Sequence, residues 1–379
     1  MTWWAAPALA AAAYQVLVII AALRWKRAPG AKGPSGFTPP LSLLKPVYGR
    51  EERLYRALRS HAVQDYPEFE VLFGLRSESD PAHEDIERLK REFPAIPMRV
   101  ILVKTDAPNP KVGVLARLAA EAKHPVLVIN DDDIEVPADY FRIVAAPLSD
   151  PEIGLVTSLY RAQGKSFAAR LEALGVATEF APSVMVARFL GVGGFALGAT
   201  MALRAESLRK IGGFEGIEPY LADDYELGRR GAAAGGRIEF APLVVDTCLG
   251  GGTWREVWRH QVRWARTIRV SRAGGYYGSL VTHTTFWALV ALGAGEWRVG
   301  AAALAIRLAA AWIGGVVVLQ DEQAKRGFWL VPLRDLFGTC VWAAGCFGST
   351  VYWRGLQMRL DREGRIQVSG PQMKAEKHG

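Results

Sequence analysis

The stretch "VLVINDDDIEVP", Val126–Pro137, runs four apolar residues and an asparagine directly into three consecutive aspartates. Its meaning depends on what surrounds it. Upstream, "LSLLKPVYG" is a short apolar run closed by Pro and Gly, and "EERLYRALRSHAV" has helical apolar spacing. "FEVLFGLR" then reads as a strand, "DPAHEDIERLKREF" as a charged amphipathic helix, "MRVILV" as a strand and "KVGVLARLAAEA" as a helix, before "PVLVIN" returns to strand. Strands alternating with helical segments predict an α/β domain with a parallel sheet and right-handed crossovers. No repeat with a period of 20 to 50 residues occurs, which excludes a solenoid.

In an open parallel sheet, ligands bind beyond the carboxyl ends of the strands. Asp131, Asp132 and Asp133 follow such an end. Taken alone, the triplet also suits an exposed acidic turn; the buried strand directly before it favours a site. Adjacent carboxylates repel one another unless a cation compensates them. Hard oxygen ligands on a loop suit Mg²⁺ or Mn²⁺, held by one or two carboxylates together with substrate phosphates.

Composition narrows the partner. The 379 residues are 50% hydrophobic and 22% charged, which excludes a disordered chain and one wholly embedded in lipid. A formal net charge of +8 suits an anionic partner: a nucleic acid, a nucleotide or an anionic membrane surface. The three cysteines, Cys248, Cys340 and Cys346, form no CxxC pair, so neither a disulfide framework nor a structural zinc site is expected.

The N-terminal "ALAAAAYQVLVIIAALRWKR" is apolar from about Ala8 to Leu23, near the lower length for a membrane span. Arg24, Lys26 and Arg27 follow it and no basic residue precedes it, opposite to a cleavable signal peptide. By the positive-inside rule the next domain lies in the cytoplasm. A buried core helix is the alternative. "APGAKGPSGFTPP" then has the Gly, Pro and Ser content of a linker.

Downstream, "FLGVGGFALGATMALRAESLRKIGGF" is rich in glycines that permit backbone to approach a ligand closely. In "YLADDYELGRRGAAAGG", Asp223 and Asp224 enter a helix, a position that capping and the helix dipole also favour. Thr253–Arg272 places Arg255, Arg259, Arg263, Arg266 and Arg269 on one helical face, and Trp254, Val257, Trp264 and Ile268 on another. Such a basic helix with tryptophans suits the membrane interface, and its arginines suit a diphosphate. A nucleic-acid partner is set aside because hydrophobic spans follow at once, at about 276–295, 299–319 and 335–353. Arg307, inside the second, is expected to face protein or the interface. If only two of these cross, the basic tail is cytoplasmic, as the positive-inside rule prefers.

From about Pro40 to Arg272 and into the C-terminal spans, the chain resembles the membrane-bound ceramide glucosyltransferase family, which includes a bacterial branch associated with hopanoid lipid biosynthesis. The resemblance rests on three separated aspartate sites followed by an Arg-Trp motif. "SDPA" supplies Asp80, "NDDD" supplies Asp131 and Asp133, "ADDYE" supplies Asp224, and "HQVRW" supplies Arg263 and Trp264. "NPKVGVL" resembles the donor-side segment, with Lys111 at its lysine. The motif's first position is His260, where the broader superfamily usually has Gln or Arg.

The resemblance implies a GT-A type, Rossmann-like nucleotide-sugar-binding domain with transmembrane helices. It implies an inverting transfer of hexose from a UDP-sugar, UDP-glucose or UDP-N-acetylglucosamine, to the hydroxyl of a membrane lipid, a ceramide or a hopanoid polyol. Asp80, Lys111 and Asp131 would bind the donor. Asp131 and Asp133 would hold Mg²⁺ or Mn²⁺. Asp224 would be the general base, with Asp223 as the alternative. Arg263 would stabilise the departing diphosphate, Trp264 would shape the acceptor side, and His260 would occupy the motif's first place. The expected layout is an anchor at 1–27, a linker at 28–39, a cytoplasmic catalytic domain at 40–253, an interfacial helix at 254–272, membrane segments at 273–354 and a basic tail at 355–379. The expected location is a bacterial-type inner membrane, crossed several times. The competing functions are a processive polysaccharide synthase, which calls for more spans, and a non-catalytic nucleotide-binding scaffold.

Overall fold

The computed structural model describes residues 3–27, 36–353 and 356–367, so residues 28–35 of the expected linker and 354–355 and 368–379 at the tail lie outside the described residues. The chain divides into two compact units. One contains Pro29–Tyr160 and Gly193–Cys248; the other contains Met1–Ala28, Arg161–Val192 and Leu249–Gly379. Residues 161–192, read from sequence as part of the catalytic domain, group with the helical unit.

An eight-stranded sheet is built from β1 (Leu41–Pro46), β2 (Phe69–Leu75), β3 (Met98–Leu102), β4 (Val126–Ile129), β5 (Ile134–Glu135), β6 (Ile153–Gln163), β7 (Met201–Arg204) and β8 (Arg237–Cys248). Its order is β3-β2-β1-β4-β7-β6-β8-β5. The pairs β2–β3, β1–β2 and β1–β4 are parallel, as the alternating sequence predicts. Beyond β4 the sheet is mixed: β7 runs antiparallel to β4 and to β6, and β5 antiparallel to β8.

The apolar runs of β1, β2 and β4 are buried along their whole length because helices cover both faces of the parallel half. On one face, Leu54 and Leu58 of the Leu54–Ala62 helix and Ile86 and Leu89 of the Ala82–Glu92 helix pack with Leu41, Leu43, Val71 and Phe73. On the other, Val112, Leu115 and Leu118 of the Pro110–Glu121 helix pack with Leu44, Leu72, Leu127 and Ile129. Three- and four-residue spacing puts each helical set on one stripe. Fully burying each such side chain contributes roughly 1.5–3 kcal/mol. The carboxyl ends of the strands are thereby fixed, and the acidic loops with them.

In the second unit, two helices among the described residues are long and apolar enough to cross a membrane: Ala5–Arg27 and Trp297–Val318, the latter ending in a π-helical stretch. Lys26 Nζ donates to the Val317 carbonyl (3.2 Å), so the carboxyl ends of these helices lie together. The other expected spans are shorter. The region 276–295 yields a helix only over Thr284–Gly293, about 15 Å long against a hydrocarbon core of about 30 Å. The region 335–353 is broken: its helix, Val331–Gly345, ends before Gly348, whose φ of +73° favours glycine. There the chain turns into a three-stranded antiparallel sheet of β9 (Thr350–Trp353), β10 (Leu356–Leu360) and β11 (Ile366–Gln367).

Arg307 faces protein. Its guanidinium meets the Asp335 carboxylate at 2.9 and 2.7 Å and donates to the Thr178 carbonyl at 3.0 Å, and both side chains are buried. Removing one partner of such a pair typically costs about 3–5 kcal/mol, because the other charge is left uncompensated.

Candidate active site

The aspartate loop starts at Asn130. Its buried amide donates to the Ala199 carbonyl (2.6 Å) and to Tyr140 Oη (2.9 Å), which fixes where β4 ends. Lys45, at the end of β1, is fully buried and donates to the Asp131 carbonyl at 2.6 Å. Burial pulls Lys45 down to about 8, although Asp132, Asp133 and Asp131 all favour its charge.

Lys111 is drawn in from the opposite side. Asn109 caps the Pro110–Glu121 helix by accepting from the amides of Lys111 and Val112, and its own amide donates to the Tyr220 carbonyl (2.8 Å). One residue therefore ties the start of the Lys111 helix to the loop that precedes Asp223 and Asp224. Lys111 Nζ bridges Asp131 Oδ1 (2.7 Å) and Asp223 Oδ2 (3.0 Å). Burial opposes the charge on Lys111, but Asp131 and Asp223 outweigh it and raise the lysine above its ordinary value.

Asp224 is the second residue of the Asp223–Ala233 helix. That helix sits close to its support because Gly228 has no side chain: a Cβ there would stand 2.5 Å from the backbone of Phe195 and Ala196. Thr157 holds the same segment, accepting from the Leu197 amide at 2.9 Å. Next along, the Gly198 amide donates to Asp224 Oδ2 at 2.8 Å. A Cβ on Gly198 would lie 3.3 Å from Asp224 Oδ2 and 3.4 Å from Asp131 Oδ2, so both oxygens converge on this glycine. Burial, then the charge of Asp223, pushes Asp224 up to about 6, with Lys111 working against the rise.

Asp133 accepts from Thr247 Oγ1 on β8. Burial, then Asp132 and Asp131, pushes it up to about 7. Asp132 accepts from the Tyr48 amide (3.1 Å). Asp80, beyond β2, accepts from the Gly49 amide with both oxygens (3.1 Å each) and from the Ala82 amide (2.9 Å) where the Ala82–Glu92 helix begins.

Asp131, Asp132, Asp133, Asp223 and Asp224 thus share two lysines, Lys45 and Lys111. Burial is the larger cause of the raised values of Asp133 and Asp224, and the neighbouring carboxylates add to it. The donors are hard oxygens, which fits Mg²⁺ or Mn²⁺. Among the described residues no three acidic, His or Cys side chains form a ready-made cage.

His260, Arg263 and Trp264 belong to the helical unit, on the Trp254–Ser271 helix. Thr253 and Glu256 close a capping box at its start. His260 Nδ1 meets Glu172 Oε1 at 2.5 Å, and its ring lies 4.8 Å from that of Trp264. Three of the helix's other arginines meet groups of the C-terminal segment. Arg266 and Arg269 donate to the carbonyls of Phe347, Thr350, Cys346 and Gly348, and Arg259 lies over the Tyr352 ring at 5.2 Å. Their work is to hold the turn before β9 and β9 itself.

Lys45 and Asn109 were not read from the sequence as site residues. The one available signal for Lys45 was a charge inside an otherwise apolar strand.

A mixed sheet whose parallel strands end in acidic loops, with a capped lysine helix beside them, is the GT-A type of glycosyltransferase fold. A mannosyltransferase from Pyrobaculum calidifontis, solved in complex with GDP-Man and Mn²⁺, has a similar fold: TM-score 0.54 over 90% of this chain and 97% of that one, at 18% identity. The chain belongs to glycosyl transferase family 21, whose family model matches residues 3–366. Curated relatives include Ceramide glucosyltransferase 1 of Caenorhabditis elegans, 29% identical over 195 residues, covering 51% of this chain and 42% of that protein. Ceramide glucosyltransferase 3 of the same organism is 25% identical over 200 residues, covering 52% and 43%. A ceramide glucosyltransferase of Gibberella zeae is 34% identical over 107 residues, covering 25% and 20%. The matched part of the chain therefore spans less than half the length of these relatives.

Proposed function

We propose that the protein is an inverting glycosyltransferase that moves a hexose from a UDP-sugar, UDP-glucose or UDP-N-acetylglucosamine, to the hydroxyl of a membrane lipid such as a ceramide or a hopanoid polyol. The observation that carries this reading is the convergence of Asp131 and Asp224 on Gly198, with Lys111 bridging Asp131 to Asp223, in a chain of family 21.

Asp224 removes the proton of the acceptor hydroxyl. The oxygen then forms a bond to the anomeric carbon as the bond to the diphosphate breaks, and the electron pair leaves on UDP. One displacement inverts the anomeric centre, and no second carboxylate nucleophile is called for. Asp223 is held by Lys111 and orders the base. Asp80 and Asp131 serve the uridine and ribose, and Lys111 serves the donor side. Arg263 would stabilise the departing diphosphate, Trp264 would shape the acceptor side, and His260 would occupy the first place of their motif. Asp133, with Asp131, would hold Mg²⁺ or Mn²⁺, which supplies Lewis-acid neutralisation of the leaving diphosphate. The sheet unit acts in the cytoplasm, with the helical unit in a bacterial-type inner membrane and no nucleic-acid partner.

The test is incubation of membranes holding the full chain with radiolabelled UDP-sugars and the two lipids, followed by mass spectrometry. A lipid carrying one β-linked hexose is expected, with transfer lost in EDTA and restored by Mg²⁺ or Mn²⁺. Full transfer in EDTA overturns the metal role, a growing polymer points to a synthase, and nucleotide binding without transfer points to a scaffold.

A further inference from the structure

Within the helical unit, five polar side chains form a continuous line, of which the mechanism above names only His260. His260 Nδ1 meets Glu172 Oε1 at 2.5 Å, and Gln261 Nε2 donates to the same oxygen at 2.8 Å. Arg334 Nη2 lies 3.5 Å from Gln261 Oε1 and 3.2 Å from Glu179 Oε2. The middle of the line is buried: the side chains of Glu172 and Arg334 are 4% and 6% exposed, and Gln261 is 8% exposed. Its two ends reach the surface, with the His260 side chain 31% exposed and that of Glu179 46%. Between the ends stand two rings, Trp264 and Phe180, 6.0 Å apart, and His260 packs on Trp264.

The line is built with care for space. A Cβ on Gly175 would lie 2.0 Å from Arg334 Nε, and one on Gly338 2.4 Å from its Nη1, so the guanidinium lies against two bare backbones. Glu179 sits in a π-helical turn, Val176–Phe180, that interrupts the helix from Phe167 to Phe189. Such turns re-aim side chains and recur at functional sites.

We propose that His260 and Glu179, held by Glu172, Gln261 and Arg334, form the recognition site for the head of the lipid acceptor, and that the head is uncharged and hydroxyl-bearing. This rests on the lipid-acceptor reading above and names the residues that serve it. A carboxylate only accepts hydrogen bonds, so Glu172 draws the proton of His260 to Nδ1 and turns Nε2 outward as an acceptor. Glu179 is likewise an acceptor. Both ends therefore suit O–H or amide N–H donors. Arg334, the one permanent cation of the line, already faces the Glu179 carboxylate, which leaves no uncompensated positive charge for a phosphate headgroup. The rings between the ends suit the apolar edge of the lipid.

The test uses the full chain in lipid nanodiscs with UDP-glucose and UDP-N-acetylglucosamine, and with ceramide and a polyol hopanoid as acceptors. Three quantities are read: KM for the lipid, KM for the donor, and the partition of released UDP between lipid glycosylation and donor hydrolysis by water. Glu179→Gln and His260→Ala are expected to raise the lipid KM about tenfold or more, well beyond any change in donor KM, and to shift the partition toward water. His260→Gln restores part of the lipid affinity, because an amide oxygen still accepts. Glu172→Gln mimics His260→Ala, and the double variant is little worse than either single one, since both act through one imidazole. Native mass spectrometry checks binding directly: the wild type retains ceramide or the hopanoid in preference to phosphatidylglycerol, and Glu179→Gln loses that preference. An equal rise in donor and lipid KM, or strictly additive losses, overturns the site and leaves these residues with a donor or structural role. If the wild type hydrolyses donor but glycosylates and binds neither lipid, the lipid-acceptor reading itself fails, and a chain that does not bind donor removes both.

Discussion

At the scale of single residues, Asp224 and Asp223 are chain neighbours with different surroundings. Asp223 is paired with Lys111, whereas Asp224 is held by a neutral amide and pushed up to about 6 by burial and by Asp223. A carboxylate with that value is ionised at neutral pH and still basic enough to take a proton. Asp224→Asn is therefore expected to cost about 10²- to 10⁴-fold in transfer rate while UDP-sugar binding persists, because the amide keeps the shape and the acceptor for Gly198. Asp223→Asn should cost less; the reverse ranking moves the base by one residue. The wild-type rate should fall as pH drops through about 6, where the base becomes protonated. Stability carries the opposite sign. A carboxyl whose value is raised on folding favours the folded state below its unfolded value of about 3.9, and that advantage disappears as pH rises through about 6. Asp224→Asn should thus melt higher than wild type at pH 7 and show little difference at pH 4. Equal melting temperatures at pH 7 would mean that Asp224 carries no burial penalty.

At the scale of elements, the active geometry depends on how closely the Asp223–Ala233 helix approaches Phe195 and Ala196. Gly228→Ala must push the helix outward, since its Cβ would meet main chain at 2.5 Å, and overpacking of this kind typically costs about 1–3 kcal/mol. A lower melting temperature and a loss of transfer are expected together. Gly231→Ala is the control on the same helix: its Cβ would meet only Ile238 Cδ1, at an ordinary 3.5 Å, so transfer should survive and stability hold or rise. Loss of transfer in both variants would point to helix composition rather than to the close approach. These elements also show what the sequence made legible. The parallel half of the sheet could be read because strands buried on both faces are uninterrupted apolar runs, and the aspartate loop stood out because charge follows such a run. Lys45 could not be assigned, since a lone lysine in an apolar strand looks like a strand end until the fold brings Asp131 against it. Asn109 was hidden for a similar reason: its partner at Tyr220 is 111 residues away in the chain. The antiparallel strands beyond β4 carry no crossover pattern to announce their direction. The arginine face of the Trp254–Ser271 helix was visible, but helical periodicity does not say whether a guanidinium meets a diphosphate or, as for Arg266 and Arg269, the carbonyls of a folded turn.

At the scale of the whole molecule, hydropathy suggested three C-terminal spans, and one of those regions forms a helix long enough to cross. The Thr284–Gly293 helix is about half the required length and packs beside Trp297–Val318 through Ala288 and Ala303. Lys26 reaches the carbonyl of Val317, so in the proposed topology the basic end of the first long helix and the end of the second would share one membrane side. The Val331–Gly345 helix packs on the Trp254–Ser271 helix through Val262, Ala265 and Val341, and Arg266 and Arg269 tie the turn before β9 to that helix. The C-terminal strands consequently lie with the Trp254–Ser271 helix, and in the proposed topology the positive-inside rule would make that side cytoplasmic. Single cysteines tested in a background where Cys248, Cys340 and Cys346 are replaced by serine would check this arrangement. Glu363→Cys, in the exposed turn between β10 and β11, and Glu78→Cys, in the sheet unit, should require a membrane-permeant reagent in intact cells. Ala294→Cys, in the exposed turn between Thr284–Gly293 and Trp297–Val318, should react with an impermeant one. Impermeant labelling at Glu363→Cys with protection at Glu78→Cys would mean an odd number of C-terminal crossings. Impermeant labelling at Glu78→Cys would place the aspartate site outside the cell, away from the cytoplasmic nucleotide sugar on which the proposed reaction depends.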